Sequence, residues 1–385
     1  MRIVYIIDSL ASKGGAERII SEKMNYLATA YNYDVSVITY YQFPETMPNT
    51  YPLSRKVKQI NLSIPSFKQY RYSYPKRLWV KWKYNSQLQL ELQQTVNSIN
   101  PDIIIGVGYT LADFVCSIKC QAAKIIESHE ARIFTKSHLL QKRTNFISTI
   151  YNKLYRKKYL KIVEKKADAV VTLTKEDAQE WVNAKRIEII PNFSIMPISN
   201  LSNCESKKVI AVGRLEWQKG YDWLIHIWEI VTHNHPDWQL DIFGEGTLET
   251  ELKNSIKNAG LGNITIHPFT NNISQEYASS SICVLTSRFE GFSLVLLEAM
   301  RHGLPCITFN CPYGPKYLVD DNESGYVIEN NNIEQFAEKL SYLIENTETR
   351  KKFAKKAIIK SNNYNVDSIM SQWRELFHSL LSQKF

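Results

Sequence analysis

Seven residues lie between Glu290 and Glu298 in the segment Ser287-Arg288-Phe289-Glu290-Gly291-Phe292-Ser293-Leu294-Val295-Leu296-Leu297-Glu298-Ala299-Met300-Arg301-His302-Gly303-Leu304-Pro305. A strand ending near Thr286 delivers Glu290 to the edge of a cleft. The pattern then predicts a helix over 293–300, with Glu298 about one and a half turns in. Leu296, Leu297, Ala299 and Met300 surround Glu298, so a solvated helix face does not account for it. A carboxylate in that setting wants hydroxyl donors, and a ribose offers two. A capping or salt-bridging pair of glutamates is the alternative.

Two cations precede this segment in Gly213-Arg214-Leu215-Glu216-Trp217-Gln218-Lys219-Gly220, directly after another strand. Arg214 and Lys219 bracket a strand-to-helix loop, and two cations on one ligand suit a diphosphate leaving group. A solvated surface pair fits the same residues. In the first half, Lys13-Gly14-Gly15-Ala16-Glu17-Arg18 follows the first strand and opens a helical pattern. Glycines there let backbone amides approach a phosphate, although Gly-Gly also marks a plain tight turn; the G-x-G-x-x-G fingerprint is absent.

Short β-branched runs alternate with helix-length segments along the chain, which implies parallel sheets flanked by helices. Strands are expected at 3–7, 35–39, 103–107, 124–127, 169–173 and 186–190, and again at 209–212, 239–243, 264–267, 282–285, 306–309 and 326–328. A chain of 385 residues suits two domains. The turn Pro191-Asn192-Phe193-Ser194 and the polar stretch behind it place the linker, giving domains 1–195 and 196–365. Helix 366–385, with Trp373, Leu376 and Phe377 at helical spacing, is expected to return to the first domain.

Composition is ordinary for a globular protein, with 44% hydrophobic and 22% charged residues. No apolar run is long enough for a membrane span, and the six cysteines form no C-x-x-C pair, so reduced thiols near the core are expected. The net charge of +9 is uneven: residues 1–200 hold 29 Lys and Arg against 16 Asp and Glu, the remainder 18 against 22. Two basic, aromatic stretches, 68–83 and 153–166, carry much of the excess. They point to an anionic membrane surface; nucleic acid is not expected as a partner, because no nucleic-acid module accompanies the charge, and solvated helix faces are the bland alternative.

Taken together, the motifs resemble those of a family 4 glycosyltransferase over nearly the whole chain. Glu290, Glu298, Ala299 and Gly303-Leu304-Pro305 carry the most specific likeness. Gly213-Arg214 with Lys219-Gly220 is similar to that family's donor-phosphate pair, Gly244-Glu245-Gly246 to its G-x-G turn, and Gly14-Gly15 to its glycine loop. The resemblance implies a GT-B fold, two Rossmann-like domains facing each other across a cleft. It also implies retaining transfer of a hexosyl or N-acetylhexosaminyl unit from a nucleoside diphosphate sugar, UDP-linked, to a cell-surface glycan or lipid-linked acceptor.

In that scheme Glu290, His129, Arg214 and Lys219 form the catalytic set. Gly14, Gly15, Arg214, Lys219, Gly244, Ser293, Leu294, Val295 and Glu298 bind the donor, with amides at the start of the Ser293 helix aiding the cations. His129, in Glu127-Ser128-His129-Glu130, would lie near the donor sugar, or be a structural histidine at a strand end. The resemblance implies no cofactor and no divalent metal, and the chain holds no Asp-x-Asp triplet. A cytoplasmic enzyme, peripheral on the inner membrane face, is expected. A sugar-nucleotide epimerase or hydrolase, or a non-catalytic binder, is the alternative. The loop His267-Pro268-Phe269-Thr270 lacks the family's glycine, and Cys311-Pro312-Tyr313-Gly314-Pro315 is distinctive.

Overall fold

The computed structural model describes residues 1–73, 75–129 and 161–383. Tyr74, Glu130 and residues 153–160 of the second basic stretch therefore lie outside the described residues. The chain divides into two compact units, Met1–Pro191 with Ile369–Phe385, and Asn192–Ser368.

The first unit holds β1 (Arg2–Ile7), α1 (Gly15–Thr29), β2 (Asp34–Thr39), β3 (Lys58–Asn61), α2 (Lys76–Ile99), β4 (Ile103–Val107), α3 (Tyr109–Ser117), β5 (Ala123–Glu127), β6 (Ala169–Thr172), α4 (Lys175–Gln179) and β7 (Ile187–Ile189). The strands run parallel in the order β3-β2-β1-β4-β5-β6-β7. Five consecutive residues are buried in each of β1 and β4, as strands covered on both faces require, which is why they read as unbroken apolar runs. The edge strand β3 is absent from the sequence expectations. Its residues Lys58-Gln59-Ile60-Asn61 show no apolar run and are mostly half-buried; pairing with β2, Ile60 opposite Ile38, makes it a strand.

The second unit holds β8 (Lys208–Val212), α5 (Tyr221–Asn234), β9 (Gln239–Phe243), α6 (Glu249–Asn258), β10 (Ile264–His267), α7 (Ile273–Ser279), β11 (Ile282–Leu285), α8 (Leu294–Arg301), β12 (Cys306–Phe309), α9 (Pro315–Leu318), β13 (Gly325–Ile328), α10 (Ile333–Glu345) and α11 (Thr347–Ser361). Its parallel order is β10-β9-β8-β11-β12-β13. Trp228, Phe309 and Phe336 are fully buried in its core. Both units are thus doubly wound, Rossmann-like α/β domains. In such sheets the strand order reverses beside the first strand, and the carboxyl ends of the strands open a crevice there. In the second unit that point lies between β8 and β11.

The last helix, α12 (Val366–Ser382), buries Ile369, Met370, Trp373, Leu376, Phe377 and Leu380, a single stripe at helical spacing. All six cysteines are free, and five are buried. Among the described residues no helix is long and apolar enough to cross a membrane.

Candidate functional site

The loops that leave β8 and β11 meet at the strand reversal of the second unit. Arg288 fastens one to the other. Its backbone N–H donates to Gln218 O at 2.8 Å, and its guanidinium donates to Trp217 O at 2.7 Å and, bidentate, to Asp222 Oδ1 and Oδ2 at 2.8 and 2.6 Å. The same guanidinium lies 4.5 Å from the Trp217 ring centroid and 4.0 Å from that of Trp223. Partial burial pulls the Asp222 carboxyl upward, but the Arg288 hydrogen bonds and charge win and hold it below the ordinary carboxylate value. Gly220 closes the first loop at φ +64°, and a Cβ there would stand 2.2 Å from Thr286 O, so no larger residue fits between the two loops.

This frame brings Lys219 and Glu290 together. Lys219 Nζ donates to Glu290 Oε1 at 2.7 Å, and Ser287 Oγ donates to the same oxygen at 2.6 Å. The side chains are 13% and 7% exposed, so the pair is largely desolvated while still open at one side. Gly314, from the distinctive 311–315 loop, packs against Glu290: a Cβ there would stand 2.9 Å from the glutamate Cβ. Tyr221, fully buried, donates its hydroxyl to Gly213 O at 3.1 Å, and burial together with the Glu290 charge keeps it protonated. Arg214 is exposed and reaches Gln218 Oε1 only at 3.5 Å.

Glu298 sits in α8. The sequence expectation began that helix at Ser293; the structure makes Ser293 its N-cap, with Oγ accepting from Leu296 N at 3.4 Å, and begins the helix at Leu294. Leu294 and Val295 are half-buried first-turn residues, and first-turn amides point out of a helix toward whatever lies before it. Glu298 is 5% exposed. One turn later the fully buried His302 receives burial's downward push on its pKa, so its imidazole is neutral at pH 7. Nδ1 then donates to Glu298 O at 2.7 Å, and Nε2 faces Ser274 Oγ at 2.7 Å.

Gly244 follows β9 and lies against the β8 loop. A Cβ at Gly244 would meet Gly213 O at 1.9 Å, and one at Gly246 would meet Leu215 O at 2.4 Å, so this glycine turn is needed for backbone contact beside Arg214. His267, at the end of β10, stacks on Phe243 with centroids 4.5 Å apart and bonds Asp241 Oδ1 at 2.9 Å.

In the first unit Gly14 is the N-cap of α1 and Gly15 its first residue, at the carboxyl end of β1. His129 follows β5. Its Nε2 lies 2.9 Å from Glu127 Oε1, an oxygen that also pairs with the Lys23 ammonium of α1. Lys23 and Glu127 are almost wholly buried, and Lys23 Nζ lies 4.7 Å from the Trp373 ring centroid of α12. Burial pushes the Lys23 pKa well down. Sequence reasoning missed Lys23, Ser287, Tyr221 and Arg288 as site-shaping residues. Ser287 and Arg288, inside the Glu290 motif, carried a local signal; Lys23 sits in an ordinary amphipathic helix pattern.

The profile of the family described as glycosyl transferases group 1 matches residues 194–360. An uncharacterized glycosyltransferase of Haemophilus influenzae is 30% identical over 97% of this chain and 99% of its own length. The amylovoran biosynthesis glycosyltransferase AmsD of Erwinia amylovora is 29% identical over 98% of this chain and 99% of its own. Among solved structures, a mutant of S. aureus TarM in complex with fondaparinux, alpha-GlcNAc-glycerol and UDP superposes with a TM-score of 0.76, at 17% identity, over 98% of this chain and 99% of that one. At that identity the likeness concerns the fold.

Proposed function

The chain belongs to the group 1 glycosyl transferases, and from that premise we propose that it is a retaining, family 4 enzyme moving a hexosyl or N-acetylhexosaminyl unit from a UDP-linked sugar to a cell-surface glycan or its lipid carrier. The observation that carries the reading is the Lys219–Glu290 pair, seated with the α8 N-terminus at the strand reversal of the second unit. In the transfer, the bond from the anomeric carbon to the phosphate oxygen breaks and the diphosphate leaves with the electron pair. The acceptor oxygen forms its bond on the same face, and its proton passes to the departing phosphate. Lys219, Arg214 and the amides of Leu294 and Val295 stabilise the charge that develops on the diphosphate. Glu290 binds the sugar hydroxyls and steadies positive charge at the anomeric carbon. Glu298 holds the ribose, and Gly14 and Gly15 let α1 present its amides to the donor. His129, held by Glu127, takes part at the sugar. No divalent metal is required in this scheme, since fixed cations do that work.

Support for a UDP donor comes from TarM, whose structure holds UDP, and support for a glycan product from AmsD, named for amylovoran biosynthesis. We place the enzyme at the cytoplasmic face of a membrane, where a lipid-linked acceptor would be met.

A thermal-shift screen against nucleoside diphosphates and their sugars tests the reading, because a true donor raises the unfolding midpoint by mass action. UDP-sugars should stabilise, and transfer should need an acceptor and survive EDTA. Donor hydrolysis or sugar isomerisation without acceptor would favour an epimerase or hydrolase, and stabilisation with no turnover a binding protein.

A further inference from the structure

Residues 66–83 contain six Lys or Arg and no Asp or Glu. They form a 3-10 turn, Ser66–Arg71, that leads into the first two turns of α2. Exposed apolar surface crowds the same segment: Tyr70 is 67% exposed, Trp82 65%, Trp79 60% and Leu78 44%. In residues 76–83 only Val80 is buried. The core instead grips α2 farther along, through Leu88, Leu92 and Val96 at four-residue spacing. The helix is thus anchored by its later turns while its first turns offer tryptophan and cations to the surroundings.

Where a soluble face would carry mixed charge, this one keeps two tryptophans in contact with water, which costs free energy unless something covers them. We propose that this surface docks the protein onto an anionic lipid bilayer, with Trp79 and Trp82 at the headgroup level and the basic residues among lipid phosphates. The charge complementarity is one-sided over the whole segment. The aromatic chemistry separates a bilayer from a nucleic acid. Base stacking uses open ring faces, whereas here cations lie over three of the rings: the Arg77 guanidinium lies 4.4 Å from the Tyr70 centroid, Lys76 Nζ 4.7 Å from that of Tyr72 and Lys83 Nζ 6.0 Å from that of Trp79. Insertion into a headgroup layer keeps those pairs, since the indole and its cation both belong at that depth. The inference adds a partner to the transferase reading without depending on it, because vesicle binding is read with no donor present.

The test is flotation of the full-length protein with vesicles of phosphatidylcholine alone or mixed with phosphatidylglycerol, at low and high salt. Anionic vesicles should bind it, and salt should weaken the binding without abolishing it. Arg77→Glu/Lys81→Glu and Trp79→Ser/Trp82→Ser should each lower the partition coefficient by roughly tenfold or more, with unfolding midpoints near wild type to exclude misfolding. Brominated lipid should quench wild-type fluorescence, and Trp79→Phe/Trp82→Phe should remove most of the quenching. Equal binding to neutral vesicles, wild-type binding by both pairs of variants, or unchanged quenching would overturn the proposal. So would soluble polyphosphate that binds as tightly and displaces the vesicles.

Discussion

Lys219 Nζ and Glu290 Oε1 stand 2.7 Å apart, bridging two loops that the sequence separates by 71 residues. The contact changes how each residue is understood. Lys219 is not a lone surface cation waiting for phosphate, because its charge already neutralises a nearly buried carboxylate. Glu290 in turn is oriented by two donors, Lys219 and Ser287, that leave its other oxygen for a ligand. A cation held in this way can shift between partners as charge moves from the sugar to the departing diphosphate.

Removing Lys219 should therefore cost more than a phosphate contact. Lys219→Ala strands the Glu290 charge and should remove about 2 to 4 kcal/mol of transition-state stabilisation, while also lowering the unfolding midpoint. Glu290→Gln in the Lys219→Ala background should recover the midpoint but not the activity. Steady-state kinetics and thermal unfolding of the four proteins read this directly. Wild-type turnover in Lys219→Ala would remove the pair from the reaction.

The glutamates should separate by assay. Glu298→Gln should weaken binding of free UDP, while Glu290→Gln should leave UDP binding nearly intact and depress turnover. Calorimetric titration with UDP and initial rates with the identified donor distinguish the two; equal losses of UDP affinity would contradict the assignment.

Arg288 should resist even conservative replacement. Arg288→Lys keeps the charge but loses the bidentate bond to Asp222 and the packing against Trp217 and Trp223, so a destabilisation of about 1 to 3 kcal/mol is expected. Since Arg288 also ties the Lys219 loop to the Glu290 loop, turnover should fall with it. Denaturant unfolding and kinetics of the variant check both, and unchanged turnover would show that the frame is dispensable.

His302 gives the second unit a pH dependence of known sign. Burial lowers its folded pKa below the ordinary 6.5, so the unfolded chain takes up the proton first as pH falls. The stability from the neutral, hydrogen-bonded ring is complete above 6.5 and is lost as pH drops from there through the lowered folded value. His302→Asn should lower the unfolding midpoint at pH 7.5 and flatten its decline between pH 6.5 and 5. A variant curve parallel to wild type would assign the acid sensitivity elsewhere.

Much of this protein was legible in the residue order. Short β-branched runs such as Ile103-Ile104-Ile105, bounded by turn residues, read as strands buried on both faces, and Gly-rich turns behind them mark where strands hand over to helices. Two α/β domains with parallel sheets and the Glu290–Glu298 motif followed from that local chemistry. Edge strand β3 did not, because Lys58-Gln59-Ile60-Asn61 has no periodicity and becomes a strand only through hydrogen bonds that β2 supplies. Nor did the pairings at the site. Lys219 with Glu290, Arg288 with Asp222, and Lys23 with Glu127 and the Trp373 ring join residues separated by 66 to 350 positions. A charge's meaning depends on what shares its low-dielectric surroundings, and chain topology decides that: the order β10-β9-β8-β11-β12-β13 sets the β8 loop beside the β11 loop. Local sequence specifies the elements and the groups they carry; which carboxylate a cation neutralises is a property of the folded sheet.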